Sequence, residues 1–200
     1  MDSLENILVE CERLHGHMCA GQLLGARMAL LGCRLVGLDD PRGADRRNTF
    51  VWVEIDRCMT DAVSAVTGVR LGKRSLKFVD YGKVAATFLN TENNKAVRIV
   101  ARESSRALAD ERFSSIANKR ERQFRAYSEA TDEELFKTQY VDLQLNEMDL
   151  PGSPRSRVMC EICGEGVNDG REVTRPDGSV VCRGCDSGTY YQNKLDNPVT

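Results

Sequence analysis

Both histidines of this 200-residue chain fall in one heptapeptide, His15-Gly16-His17-Met18-Cys19-Ala20-Gly21. The same stretch carries one of the four cysteines that precede the C-terminal tail. Imidazole and thiolate are the usual ligands of zinc and its transition-metal neighbours. Here two imidazoles and a thiol lie within five positions. Cys58 offers a second thiolate. Both thiols read as helix starts: Cys19 stands ahead of a helix over 22–36, and Cys58 lies between a strand over 49–55 and a short helix over 61–66 closed by Gly68. Free N–H groups and the positive dipole end at such a position favour thiolate. The blander alternative is a surface turn with two buried, inert thiols. The recurrence of a thiol at two helix starts favours a metal or redox site. The expected core site is His17, Cys19 and Cys58, with His15 as a further ligand. Asp61, Lys73 and Tyr81 are candidate neighbours, able to move a proton or anchor a substrate.

A second constellation lies in the tail. Cys160-x-x-Cys163 is followed eighteen residues later by Cys182-x-x-Cys185, the spacing of a structural four-cysteine zinc site. Each pair forms a turn whose thiolates can reach one tetrahedral ion. A hairpin is expected over 172–181, around Pro176-Asp177-Gly178, and a helix over 187–194. Knuckle, hairpin and helix give a treble-clef order. So small a module cannot bury enough apolar surface to fold alone, and the ion should supply much of its stability.

The elements that must position the core site read as follows. A first helix over 2–13 has capping-box spacing at Asp2 and Glu5 and an apolar face of Leu4, Ile7, Leu8, Cys11 and Leu14. In the next helix Gly21, Gly25, Ala29 and Cys33 fall four apart. Interior glycines cost a helix ~1 kcal/mol each relative to alanine, so this stripe implies close approach of another backbone. The strand over 49–55 directs Val51, Val53 and Ile55 to one side and Trp52 and Glu54 to the other. Short strands over 76–79 and 84–89 flank a tight turn at Asp80-Tyr81-Gly82-Lys83, and a further strand covers 96–100, three of the four forming an antiparallel meander. A fifth short strand is possible. Residues 103–126 are charged and helical, and Thr131 with Glu134 forms a capping box for a helix reaching about Leu145. Pro151-Gly152-Ser153-Pro154 marks a linker. The division is a core over 1–148, a linker over 149–157 and a zinc-finger domain over 158–200.

Composition bounds the rest. Hydrophobic residues make up 41% of the chain and formal net charge is −2, which supports a real core and argues against a nucleic-acid partner. The apolar runs are too short to span a bilayer and no signal-peptide pattern begins at Met1, so a cytoplasmic chain without a membrane partner is expected. A reducing compartment and two Cys-x-x-Cys pairs favour metal over disulfides. The charged helices and the small-residue stripe offer more surface than one small sheet can cover, and a homodimer is expected.

Ordered blocks across the first half of the chain resemble the FmdE family, named for a component of formylmethanofuran dehydrogenase. They are His15-Gly16-His17-Met18-Cys19-Ala20-Gly21, Asp56-Arg57-Cys58-Met59-Thr60-Asp61-Ala62, Thr67-Gly68 with Leu71-Gly72-Lys73, and Asp80-Tyr81-Gly82-Lys83-Val84-Ala85. Members often carry proline where this chain has Ala20, a departure that touches no candidate ligand. The resemblance implies an α+β core, a mixed sheet of about five strands flanked by helices, to which many members append a cysteine-rich finger. It also implies a metal-capable cleft at His17, Cys19 and Cys58, and association with a molybdenum or tungsten redox enzyme. The expected function is a metal-binding accessory or metal-handling partner of such an enzyme, with zinc in the tail and zinc or another transition metal in the core. The alternatives are a free-standing zinc enzyme and a thiol redox protein using Cys19 and Cys58.

Overall fold

Leu4–His15 (α1) begins at Ser3, whose hydroxyl accepts the Asn6 N–H at 3.4 Å. The cap is therefore Ser3 rather than the expected Asp2, which lies outside the residues that this computed structural model describes, 3–192. Ile7 and Cys11 are buried and Leu4 and Leu8 pack partly against the core.

Ala20–Val36 (α2) is the central helix. Leu23, Ala26, Met28, Ala29, Cys33 and Val36 are fully buried along it. Its glycines do what the stripe implies. A Cβ on Gly25 would lie 2.7 Å from the Met59 carbonyl oxygen, 2.8 Å from Met59 Cα and 2.9 Å from Ala62 Cβ. The neighbour is Cys58–Thr67 (α3), which starts three residues earlier than expected and ends on left-handed Gly68. Gly32 lies against Phe88: a Cβ there would run into the ring.

The sheet contains Thr49–Val53 (β1), Leu76–Phe78 (β2), Ala85–Asn90 (β3), Lys95–Ala101 (β4) and Phe136–Tyr140 (β5), in the order β2-β1-β3-β4-β5. It is mixed: β1 and β2 are parallel, and β1–β3, β3–β4 and β4–β5 are antiparallel. Val51, Phe88 and Val97 form one lateral row and Val53, Ala86 and Ile99 the next, and all six belong to the buried core shared with α2. On the opposite face Arg98 holds Glu54 with two hydrogen bonds of 2.6 and 2.7 Å.

Two expectations about this sheet are corrected. Residues 80–83 do not turn a hairpin. Strand β2 returns through α3 to lie parallel to β1, and the Tyr81 and Lys83 N–H groups both donate to the Glu54 carbonyl, at 3.2 and 3.1 Å. A strand–helix–strand unit pairs in parallel. The helix from Thr131 to Leu145 is also replaced. The capping box at Thr131 and Glu134 is present, but Asp132–Leu135 (α6) lasts one turn before the chain becomes β5. Residues 103–130 form two helices, Ser105–Arg112 (α4) and Lys119–Glu129 (α5). Arg27, from α2, donates to the carbonyls of Tyr127 and Ala130 at 2.7 and 2.6 Å and pairs with Asp132 at 2.8 Å.

The second compact unit begins at Leu145, a few residues before the expected boundary at 148. Asn146 caps one 3-10 turn, Glu147–Asp149, and Asp149 pairs with Arg171 at 2.6 Å. Arg157–Met159 (β6) pairs with Gly166–Asn168 (β7), and Glu172–Thr174 (β8) with Val180–Cys182 (β9). The helix of this unit is Arg183–Ser187 (α7), which carries Cys185. The expected helix over 187–194 is not formed through residue 192, and its last residues lie outside those described.

A candidate metal centre at two helix starts

α1 ends where Gly16 adopts φ +90°, its N–H donating to the Glu12 carbonyl at 2.7 Å. That left-handed residue, favourable to glycine, turns the chain back within one residue. His15 remains the last residue of α1, His17 follows the turn, and Cys19 becomes the extended N-cap of α2. Cys58 opens α3 after Arg57. Close packing of α2 on α3 at Gly25 brings the two starts together. A Cβ placed on Gly21 would stand 3.7 Å from Cys19 Sγ and 3.8 Å from Cys58 Sγ. The two sulfurs thus flank one point, each less than 4 Å from it.

One donor atom each from His15, His17 and Cys19 lies within 4.8 Å of the other two. His15 neither caps the helix nor points to solvent. Its Nδ1 is 2.8 Å from Asp61 Oδ2, and its side chain is 16% exposed. Its Nε2 is buried and has no hydrogen-bond partner. A buried ring nitrogen without a partner is costly, whereas a carboxylate on one nitrogen with the other held free is how ligating histidines are oriented. This donor set fits a transition-metal ion, with His15, His17 and Cys19 closest together and Cys58 beside Cys19. The Cys58 thiol is pushed up, first by burial and then by contact with the Cys19 thiol. Two adjacent thiols resist ionising together unless a cation joins them.

Lys73 and Tyr81 are not brought to this cluster. Lys73 lies in the exposed turn before β2, and Tyr81 is 63% exposed, with Lys83 Nζ 5.6 Å from its ring centroid. Asp61 reaches the cluster through His15.

The cluster faces a cleft of about 860 Å³. One wall is the segment His17–Gly21 with Cys58. The other is α5, through residues including Arg120, Gln123 and Phe124. A charged helix is expected here from the sequence, but not its place in the cleft wall, since its charged, amphipathic pattern is that of any solvated helix face.

In the second unit Cys160, Cys163, Cys182 and Cys185 bring four sulfurs within 4.8 Å of one another. The Cys182 N–H donates to Cys160 Sγ at 3.2 Å, and the Cys185 N–H to Cys182 Sγ at 3.4 Å. Backbone N–H groups, first that of Cys163, pull the Cys160 thiol down to about 6. The neighbouring thiols, first Cys182, push Cys185 up to about 12. Four converging sulfurs cannot all ionise unaided; a bound cation removes the conflict.

The family model described as "FmdE, Molybdenum formylmethanofuran dehydrogenase operon" matches residues 14–139. The chain belongs to the FmdE family. A curated relative from Archaeoglobus fulgidus, described as a probable S-adenosyl-L-methionine-binding protein, is 31% identical over 94% of this chain. The FmdE-family chain spans 54% of that relative's length. A crystal structure of a tungsten formylmethanofuran dehydrogenase FmdE-like protein from Syntrophus aciditrophicus shares the fold. Its TM-score is 0.62 at 22% identity, with 96% of each chain covered. Among the described residues, no helix is long and apolar enough to cross a membrane.

Proposed function

We propose that this FmdE-family protein binds a transition-metal ion in its core and serves a molybdenum or tungsten redox enzyme as an accessory component or metal-handling partner. The observation that carries the metal reading is His15. Its Nδ1 is fixed by Asp61 while its buried Nε2 has no hydrogen-bond partner, in a residue grouped with His17 and Cys19. In this reading His15, His17 and Cys19 hold the ion, and Cys58 completes or releases the fourth position. When bound, the ion supplies Lewis acidity and a site for an exchangeable ligand. The chain itself orients His15 through Asp61, places two thiols side by side at helix starts, and offers a cleft for whatever approaches. The tail holds one structural zinc through its four cysteines, a closed set without an open position. The family's tie to a molybdenum formylmethanofuran dehydrogenase operon supports the enzyme partner.

Elemental analysis of anaerobically purified protein tests this reading. The full chain should carry about two metal equivalents, and a His15→Ala/Cys19→Ser variant about one. Two equivalents in the variant would refute the core site. Capture of molybdenum- or tungsten-enzyme components from native extract tests the partnership. A second reading, a reversible Cys19–Cys58 disulfide, is favoured by the contact between those thiols. Quantitative thiol titration before and after mild oxidation separates the two.

A further inference from the structure

A second cavity, of about 180 Å³, adjoins the cleft. Ala20, Gly21, Cys58 and Gln123 line both, so the smaller cavity opens beside Cys58, at the edge of the donor cluster. Its character is different. Arg57, Arg102 and Arg106 line it against a single carboxylate, Glu103. Glu103 pairs with Arg106 Nε at 3.1 Å. Arg102 spends its Nε on the carbonyls of Glu133 and Phe136, both at 2.9 Å. Among the described residues, Arg57 has no ion-pair partner. The terminal nitrogens of three guanidiniums are thus available around a space that suits a carboxylate or phosphate group. The larger cleft is roomier and adds Met18 and Phe124 to its walls, alongside Arg120, Glu121 and Arg125 at its α5 side. Its size is that of sites for small organic ligands.

We infer that the two cavities form one site for an organic anion. Its carboxylate or phosphate head is held by Arg57, Arg102 and Arg106, and its apolar body lies along Phe124. The molecule passes Cys58 and the core donors at the junction. This deepens the proposed function and rests on it only for the ion at that junction. The charge count selects the class: three cations against one anion in the small cavity favour a negative head, and Phe124 with Met18 gives an apolar body a surface to lie on. A neutral ligand would leave the guanidiniums unused; an inorganic ion would leave the cleft empty.

The test uses the full-length protein and three probes of one shape, 4-phenylbutanoate, 3-phenylpropyl phosphate and 4-phenylbutanamide, with inorganic phosphate as a fourth. Affinity is read by titration calorimetry on metal-loaded and on chelated protein. The anionic phenyl probes should bind at least tenfold more tightly than the amide and than inorganic phosphate, and their ranking shows whether the head is carboxylate or phosphate. Arg57→Gln/Arg106→Gln should cost the anions at least tenfold and leave the amide unchanged. Phe124→Ala should weaken all the phenyl probes; Arg102 is left intact because it ties Glu133 and Phe136. Equal affinity for amide and anions overturns the inference, as does an unaffected arginine variant with a native circular dichroism spectrum. So does a lack of binding at millimolar probe with both metal sites filled. Anion binding that survives chelation supports the arginine pocket and, if elemental analysis finds the core empty before chelation, refutes only the metal reading.

Discussion

Gly25→Ala tests the packing that builds the core site. In isolation the change favours the helix by ~1 kcal/mol. Here the added methyl would stand 2.7 to 2.9 Å from Met59 backbone atoms and the Ala62 side chain. Backbone cannot swing aside as a flexible side-chain tip can. Helix α3 must move off α2 by several tenths of an ångström, and overpacking of that kind costs ~1–3 kcal/mol. The clash should outweigh the propensity gain and leave a net loss of up to about 2 kcal/mol. With a urea slope of ~2 kcal/mol/M, the midpoint of the core's helical signal should fall by up to about 1 M. The same shift carries Cys58 away from Cys19, so core metal affinity should fall while tail zinc is retained. Gly72→Ala is the control, since a Cβ there meets nothing within 4 Å, and should be nearly neutral. A Gly25→Ala midpoint equal to or above that of the parent would refute the close-approach argument.

Asp61→Asn should weaken core metal binding about 10–100-fold by leaving His15 unoriented, read by competition with a chromogenic chelator; unchanged affinity would remove His15 from the ligand set. Chelation, or Cys182→Ser, should collapse the amide spectrum of the second unit while leaving that of the core, because the ion holds together short hairpins with little core of their own. Burial pushes the Cys11 thiol up to about 11 and Cys33 to about 12. These groups stay protonated in the fold at pH values where the unfolded chain ionises. The unfolded state then binds fewer protons, so stability should fall as pH rises above about 9, by ~1.4 kcal/mol per pH unit for each thiol until its folded value is passed. Cys11→Ala/Cys33→Ala should flatten that alkaline slope in denaturant titrations; an unaltered slope would count against it.

Much of the fold was legible because it rests on local signals. The central helix, its small-residue stripe, β1 and the second hairpin of the tail all follow from periodicity, glycine spacing and turn residues. The errors lie where pairing decides. Phe136 to Tyr140 follows a genuine capping box, yet Phe136 and Thr138 favour extended chain, and β4 offers an unpaired edge. Tertiary pairing overrides a helix whose start is real. The hairpin expected at Asp80–Lys83 ignored the α3 segment between β1 and β2, which by itself implies a parallel return. At the site, residue types and spacing pointed to His17, Cys19 and Cys58. They could not reveal that Asp61 reaches back to His15, a partner 46 positions away. The arginines beside Cys58 carry no spacing signal, because α3, the sheet and α4 supply them from separate segments.

The Arg27 clamp has a consequence for the cleft. It ties the α2 surface to the carbonyls of Tyr127 and Ala130 and to Asp132, all at or beyond the C-terminal end of α5. The opposite end begins at the Asn118 cap, where Arg120 is exposed. Arg122 ties that end to Asp110 of α4 at 2.8 Å, while the attachment to α2 lies at the Ala130 end, like the hinge of a door. Breathing of α5 should be a tilt about Ala130, widest near Lys119, so that amide exchange slows steadily from Glu121 to Ala126. A bulky guest would be accommodated at the mouth while the spacing around Cys58 stays fixed.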